Sequence, residues 1–336
     1  MNKSEYEILN ERFDKFVYGD LPVCEEDIIF EEKLCDIILK KIYIQNDDNC
    51  FKRENMYDTK IKVSKNMTIS ICNDFFSRLD SNYGNLLNEI IESGMVVFKK
   101  ADDIYDRSYI DMSEIDKIVI KTYDSVEDIL TLAHEFMHYT NTRSELATPV
   151  TSYYTEALSN WAEFILVDFI KENYPKYKKD ILKMQRNIFT SLYEENIKFK
   201  FLIELIKNKI DGFNINDYLI VETTKKILKD CSDYSLIVTC FEELMNNILT
   251  EDEYSVEYTY ISTLRNTVAT VLSCYMYYNL DVKDILYLNN NLSSFNAFDV
   301  LKYMNFEFKK NDSLDLIDEN YQILEKSYKE KIKKLW

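Results

Sequence analysis

Two histidines four residues apart are the residues of this chain whose type and spacing best suit catalysis. They are His134 and His138 in the stretch TLAHEFMHYT, and the 336-residue chain contains no other histidine. On a helix, side chains at i and i+4 project from the same side, so both imidazoles can bind one metal ion. In H-E-x-x-H sites the glutamate, here Glu135, takes a proton from the water that the metal activates. The spacing therefore predicts a zinc site with one Zn²⁺ ion per chain.

A catalytic zinc usually has three protein ligands, so one more must come from elsewhere in the chain. With no third histidine, the candidates are a carboxylate, a cysteine or a less common donor. The segment TEALSNWAEF places Glu156, Ser159 and Glu163 at i, i+3 and i+7, on one face of a predicted helix. Carboxylates among apolar neighbours are costly to bury unless they bind something. We expect Glu156 to bind the metal and Glu163 to orient a histidine, with Ser159 beside them.

A simpler interpretation needs no metal: two surface histidines, with Glu156 and Glu163 at solvated helix positions. The absence of histidine elsewhere argues against it, as does the capped amphipathic pattern around the motif. A purely structural zinc site is disfavoured too, because such sites usually have four protein ligands, mostly cysteines. The chain has seven cysteines, and none lies near the motif in the sequence.

The composition favours a mostly helical globular protein and argues against several enzyme classes. Apolar residues make up 46% of the chain and charged residues 30%, which is typical of a folded domain. Only four glycines and three prolines occur, fewer than turn-rich sandwiches or barrels need. Neither a G-x-G-x-x-G nor a G-x-x-x-x-G-K-S/T pattern is present, so a dinucleotide-binding or P-loop enzyme is disfavoured.

Charge and hydropathy limit the partners that the protein can have. The formal net charge is −18 with no long basic run, so nucleic acid and anionic membrane surfaces are disfavoured. The expected substrate is a peptide or an unstructured protein, and neutral or cationic peptides would be attracted at long range. No apolar run approaches the ~18 residues of a membrane span, and the scattered cysteines indicate reduced thiols. We therefore expect a cytoplasmic protein; its oligomeric state leaves no signal in the sequence.

Short segments around the motif predict the elements that position it. Residues 117–122, KIVIKT, contain a β-branched run and predict a strand, whose edge is a candidate for pairing with an extended peptide. Ser125 followed by Asp128 is a capping-box-like start for the helix that carries the histidines. Residues 67–92 predict one or two helices and residues 153–172 another.

Residues 122–139, TYDSVEDILTLAHEFMHY, and 154–170, YTEALSNWAEFILVDFI, together resemble the thimet oligopeptidase / oligopeptidase F family of zinc metallopeptidases. In that family an H-E-x-G-H helix is followed by an E-x-x-S-x-x-x-E helix whose first glutamate is the third zinc ligand. Glu156, Ser159 and Glu163 match this second motif residue by residue. The resemblance implies a mainly α fold, a helical zincin of the gluzincin class, with a small β-sheet element beside the H-E-x-x-H helix.

The chain departs from the family pattern at several positions. Met137 replaces the glycine of H-E-x-G-H, and Asn141 stands where members usually have another histidine. Family members use downstream tyrosines, often with a histidine, to bind the substrate and stabilise the oxyanion. Since no downstream histidine exists here, the resemblance implies Tyr258 and Tyr260, in YTYISTLRNTVATVLS, for these roles. Arg265 is a further candidate for substrate contact.

The polar segment at residues 46–66, NDDNCFKRENMYDTKIKVSKN, and the extent of the resemblance together suggest a division of the chain. Residues 65–336 are expected to form the zincin-like catalytic domain, with the likeness strongest over 110–285. Residues 1–64 are expected to form an N-terminal helical region.

Motif and resemblance together predict zinc-dependent hydrolysis of peptide bonds by an endopeptidase or oligopeptidase. The zinc ligands would be His134, His138 and Glu156. Glu135 would act as the general base. Two alternatives stay open: a protease acting on one specific protein, and a regulatory protein that keeps the fold and the zinc without turnover. Met137 and the missing downstream histidine support the second alternative, whereas the intact Glu135 argues against it.

Overall fold

The computed structural model of the chain describes residues 3–19, 61–102, 108–111, 117–142, 149–228, 234–250, 255–295, 300, 303 and 304. These residues belong to two compact units. The helical unit contains the described residues among 1–50 and 190–268. The motif unit contains the described residues among 51–189 and 269–308, and it includes both histidines.

The described chain is mainly helical with one small sheet, as the sequence predicted. Its elements, in chain order, are α1 (Lys3–Tyr18), α2 (Lys65–Leu79), α3 (Ser81–Glu92), β1 (Val96–Lys100), β2 (Tyr109–Asp111), β3 (Lys117–Thr122), α4 (Glu127–Thr142), α5 (Pro149–Asn173), α6 (Lys178–Ile210), α7 (Asp217–Ile227), α8 (Tyr234–Thr250), α9 (Ser255–Asn279) and α10 (Val282–Asn291). Short 3-10 turns cover Pro175–Tyr177 and Leu292–Ser294. The boundaries between the units fall inside α6 and α9.

Helices α2 and α3 of the motif unit form a closely packed pair joined at Asp80. This residue ends α2 and caps α3, because its side chain accepts a hydrogen bond from the backbone of Asn82 at 2.7 Å. Gly84 permits the close approach of the two helices, since a Cβ atom there would lie 2.8 Å from the Cα atom of Ser77. The helical prediction for residues 67–92 is therefore confirmed, with two helices.

Strand β3 is the central strand of the sheet in the motif unit. It pairs in parallel with β1 and antiparallel with β2, so Ile118 lies opposite both Val96 and Ile110. The backbone N–H of Lys121 in β3 donates to the hydroxyl of Ser108, the residue just before β2, at 2.8 Å. The predicted strand is confirmed. The expectation that its edge is open to a peptide is wrong, because β1 and β2 lie on its two sides.

The sharp turn between β3 and α4 is fixed by polar residues. Asp124 adopts φ 55, a left-handed conformation in which aspartate is enriched over most residues. The hydroxyl of Ser125 accepts a hydrogen bond from the backbone of Glu127 at 3.2 Å. The carboxylate of Asp128 accepts one from the backbone of Tyr123 at 2.9 Å. These bonds confirm the predicted helix start at Ser125 and set the direction in which α4 leaves the sheet.

Helix α4 packs more extensively against α5 than against any other described element. Helix α5 begins at Pro149, four residues before its predicted start, and a proline is favoured in the first turn because its nitrogen needs no hydrogen-bond partner there. The side chains buried between and around the two helices include Leu132, Ala133, Phe136 and Met137 of α4 and Ala157, Leu158, Trp161 and Ala162 of α5. This packing sets the histidine helix beside the glutamate helix.

The helical unit contains α1, α7, α8 and the remaining parts of α6 and α9, with a core that includes Phe13, Phe199 and Phe201. Helix α1 therefore belongs to the same unit as residues 190–268. The expected boundary between an N-terminal region (1–64) and a catalytic domain (65–336) stays a prediction. Among the described helices, none has both the length and the apolar character that crossing a membrane requires.

The side chains of two cysteines are described, and both are free thiols. Cys72 in the motif unit and Cys240 in the helical unit are both buried. For these two residues, the expectation of reduced thiols in the core is confirmed. Burial also raises the pKa of both thiols, which makes them poor nucleophiles.

Candidate metal centre

The two histidines of α4 project toward the same point beside α5. Their ring centroids are 4.7 Å apart, and the Nε2 atoms of His134 and His138 are separated by 3.0 Å. The i, i+4 spacing on a regular helix explains this proximity. Each side chain remains about one-fifth exposed or less, at 17% and 20%, so the nitrogens can be reached by an ion.

The carboxylate of Glu156 on α5 completes the cluster. One of its oxygens lies 3.6 Å from His134 Nε2, and the other lies 3.4 Å from His138 Nε2. One donor atom from each of the three residues falls within 4.8 Å of the other two. Ligands at the corners of a zinc tetrahedron are about 3.3 Å apart, given zinc–nitrogen distances of about 2.0–2.1 Å. The three side chains therefore fit one zinc ion with little rearrangement.

Glu163, two turns along α5 from Glu156, holds one of the histidine rings. Its carboxylate accepts a hydrogen bond from Nδ1 of His134 at 2.8 Å. A proton on Nδ1 leaves the lone pair of Nε2 free to face the cluster, so this bond selects the tautomer that a metal needs. A carboxylate behind a histidine ligand is a recurrent feature of zinc sites.

Negative charge predominates around the two rings. Burial disfavours the charged form of His134, but its hydrogen bond to Glu163 and the nearby carboxylates outweigh this and raise its pKa to about 9. Burial first, and then the charges of Asp128 and Glu163, raise the pKa of Glu127 to about 7. Burial raises the pKa of Asp128 to about 6 despite backbone hydrogen bonds that lower it. Each of these three shifts favours the protonated form of its group.

Glu135 lies close enough to the cluster that the charges of the cluster change its pKa. Burial raises the pKa of this carboxyl group, the charges of His134 and His138 lower it, and those of Glu156 and Glu163 raise it; the net shift is upward. A carboxylate with a raised pKa is a stronger base than an exposed one, and proton transfer is most effective when the pKa approaches the working pH. Glu135 is thus suited to accept a proton beside the three potential ligands.

The remaining predicted site residues have less direct relations to the cluster. Ser159 is buried, and its hydroxyl donates to the carbonyl of Thr155 at 3.0 Å, within α5. Its predicted support of the ligands stays a prediction. Glu127, which the sequence analysis missed, lies seven residues before His134 and therefore on the same side of α4. That helical spacing was the signal that could have identified it.

The predicted substrate-binding residues lie on α9. Tyr260 belongs to the helical unit, where its ring packs against Phe16 and Phe199 with centroid distances of 5.4 and 5.9 Å. The side chain of Tyr258 lies outside the described residues. The Nε atom of Arg265 is buried without a hydrogen-bond partner in the described chain. The oxyanion and substrate roles of these residues stay predictions.

Comparison with known proteins identifies a shared fold. No protein-family model matches the sequence, and no curated protein matches it. The structure is similar to that of a protein from Chlamydophila abortus described as a peptidase, with a TM-score of 0.54 and 15% identity over 97% of this chain and 56% of that one. It is also similar to PZ peptidase A with an inhibitor, with a TM-score of 0.54 and 13% identity over 97% of this chain and 59% of that one.

The chain therefore has the mainly helical fold of solved peptidase structures, and it spans a little over half of their length. At these low identities the likeness concerns the fold alone.

Proposed function

We propose that the protein is a zinc-dependent peptidase that hydrolyses peptide bonds in peptides or unstructured protein segments. The observation that carries the proposal is the convergence of His134, His138 and Glu156 from two packed helices, with Glu163 behind the first histidine. The shared fold with peptidase structures supports the same activity. The resemblance of both helices to thimet oligopeptidase motifs supports it independently.

The chain's own residues would divide the work as follows. His134, His138 and Glu156 would hold one zinc ion, which supplies a Lewis acid that acidifies water and polarises the scissile carbonyl. Glu135 would accept a proton from the attacking water as the new carbon–oxygen bond forms. It would then deliver that proton to the nitrogen as the carbon–nitrogen bond breaks, so that the amine leaves neutral.

The surrounding residues would tune this step. Glu163 would keep the ring of His134 in the tautomer and orientation that zinc requires. Tyr258 and Tyr260 are the sequence-based candidates for donating a hydrogen bond to the oxyanion.

The proposal is tested by peptide cleavage. Zinc-loaded wild type, Glu135→Gln and the control Glu92→Gln, which changes an exposed glutamate of α3, would each be incubated with a mixed library of short and long unstructured peptides. Mass spectrometry would identify the products. We expect wild type and Glu92→Gln to cleave equally, and Glu135→Gln to retain zinc but turn over about 10²–10⁴-fold more slowly.

Other results would overturn parts of the proposal. Undiminished cleavage by Glu135→Gln would remove Glu135 as the base, and cleavage that survives a strong chelator would remove the metal. Zinc binding without cleavage of any peptide by wild type would instead favour the non-catalytic regulatory protein. The lengths of the cleaved peptides would distinguish an oligopeptidase from a protease that acts on larger chains.

A further inference from the structure

The two histidines of the candidate metal centre are supported unequally. Nδ1 of His134 is held by Glu163 at 2.8 Å. Within the described chain, the hydrogen-bond and ion-pair partners of His138 are His134 and Glu156, the other members of the cluster. A ligand ring is normally oriented by a partner behind it. The position of His138 therefore depends mainly on the backbone that carries it.

That backbone lies close to the end of α4, where helices lose their regular hydrogen bonds. Helix α4 ends at Thr142, and the last four carbonyl groups of a helix have no partner within it. The carbonyl group of Met137 lies just before those four, and two side chains add hydrogen bonds to it. The hydroxyl of Thr140 donates to it at 2.7 Å, and the amide of Asn141 donates to it at 3.1 Å.

The hydroxyl of Thr140 is itself held from α10, about 150 residues further along the chain. The side-chain amide of Asn289 donates to Thr140 Oγ1 at 2.9 Å and to the hydroxyl of Tyr83 at 2.5 Å. Tyr83 in turn donates to Asn290 Oδ1 at 2.9 Å. The amide nitrogen has two hydrogens and each hydroxyl has one, so every donor of the network is used once. Oδ1 of Asn289 is buried and accepts no hydrogen bond within the described chain.

This network is built into the core of the motif unit. Asn289 is 3% exposed and Tyr83 is 4% exposed. The ring of Tyr83 packs against Phe76 and Phe136, the second of which belongs to α4. A buried polar group that loses its partner is strongly disfavoured, so the network holds α10, α3 and the end of α4 in one arrangement.

We propose that Asn289 is a positioning residue for the metal centre, which fixes Thr140 and thereby the turn of α4 that carries His138. Asn289 would orient His138 indirectly, through the backbone of α4, whereas Glu163 orients His134 by a direct hydrogen bond. The inference rests on the proposed function for its consequence in metal binding, but the placement of His138 can be measured without metal.

Two substitutions interrupt the network at different points. Asn289→Leu removes both donated bonds at similar side-chain size, and Thr140→Val removes the hydroxyl with little change of shape. Thr140→Ser keeps the hydroxyl and is the conservative counterpart. Asn290→Ala is the matched control, because it removes only the acceptor of Tyr83 and leaves the bond between Asn289 and Thr140 intact.

Long-range ¹H–¹⁵N spectra of the metal-free proteins provide the first measurement, since the chain has just two histidine rings to resolve. We expect the His138 signals to broaden or double in Asn289→Leu and Thr140→Val, while the His134 signals stay sharp. Zinc affinity, measured by competition with a chelator, is the second measurement. We expect it to fall about tenfold in both variants and to stay at the wild-type value in Thr140→Ser and Asn290→Ala.

Unchanged His138 signals and unchanged zinc affinity in folded Thr140→Val would overturn the inference, even if thermal stability fell, because a merely structural role moves only the stability. Thr140→Val decides the question if Asn289→Leu does not fold. Failure of wild type to bind zinc would overturn the proposed function, whereas the spectra of the metal-free proteins would still decide whether Asn289 positions His138.

Discussion

The helical unit and the motif unit both bury charged side chains, but they compensate them differently. In the helical unit, buried Lys198 pairs with Glu195 at 3.0 Å and with Glu243 at 2.7 Å. Lys209, which is 3% exposed, pairs with an aspartate of α1 at 2.6 Å. Burial alone would lower the pKa of Lys198, and its two carboxylate partners raise it instead. These two buried lysines of the helical unit are thus each paired with a carboxylate of the same unit.

In the motif unit, carboxyl groups gather around two imidazoles. Glu156 and Glu163 contact the rings directly, and the pKa values of Glu127 and Glu135 are raised by burial and by neighbouring negative charge. The carboxyl groups repel one another and lose hydration on burial, and the pairing of His134 with Glu163 offsets part of this cost. A bound cation would reverse this balance. Under the proposed function, the contrast separates charges that are paired within the fold from charges that would bind a cation.

The largest expected effect is the loss of a proposed ligand. Glu156→Ala removes a donor from the cluster, and zinc affinity should fall by more than the 10–100-fold that supporting partners contribute. Chelator competition measures this. Glu243→Ala, which removes a carboxylate from the helical unit, is the control and should leave zinc affinity unchanged. Equal zinc affinity in Glu156→Ala and wild type would place the third ligand elsewhere.

A smaller effect is expected when the support of His134 is weakened. Glu163→Gln keeps the shape of the side chain but loses the charge that holds the Nδ1 proton. Zinc affinity should fall about 10–100-fold. The absorption spectrum of the cobalt-substituted protein should shift as the ligand ring reorients. An unchanged spectrum and affinity would show that the 2.8 Å contact is incidental to metal binding.

The raised pKa of Glu127 predicts how the stability of the metal-free protein depends on pH. Between its ordinary value of 4.5 and its folded value of about 7, the folded state holds a proton that the unfolded state has released. The free energy of unfolding should therefore fall as the pH rises through this window. Thermal melts at pH 4.5 to 7.5 measure it.

Glu127→Gln should reduce that decline, to which Asp128 also contributes because its pKa is raised to about 6, whereas Glu222→Gln in the helical unit should leave it unchanged. An equal decline in wild type and Glu127→Gln would show that Glu127 does not contribute to it.

The smallest effect is expected from the helical unit itself. Glu204 is 3% exposed and pairs with the more exposed Lys226. Lys226→Met leaves this carboxylate without its cation, and the free energy of unfolding should fall by about 1 kcal/mol, since the lysine end of the pair is solvated. Urea unfolding measures this change. Zinc affinity should be unaffected, and a loss of zinc in this variant would contradict the separation of roles.

Much of the candidate site could be predicted because its residues follow regular periods. The i, i+4 spacing identified His134 and His138, and the i, i+7 spacing on the next helix identified Glu156 and Glu163. Strand β3 and the start of α4 were also predicted, since a β-branched run and a capping residue are local signals. The structure brings these local features together without contradiction.

The rest of the site depends on distant pairings that leave no local signal. The pairing of β3 with β1 and β2 was not predicted. Whether the edge of a strand is open depends on which other strands pair with it, and the sequence of β3 does not show this. Asn289 and Tyr83 were missed for the same reason: the first of three consecutive asparagines and a tyrosine in a helix with several polar residues give no periodic signal. Their partner Thr140 looked like an ordinary helix-end residue until α10 was placed beside it.

The most direct test of the account is the coordination of zinc in the wild-type protein. Metal analysis should find one zinc ion per chain, and zinc-edge X-ray absorption should find two imidazole nitrogens and carboxylate or water oxygen at about 2.0–2.1 Å. Sulfur ligands at about 2.3 Å, or zinc that stays bound equally well after both histidines are replaced, would contradict the claim that the cluster of the motif unit is a metal centre.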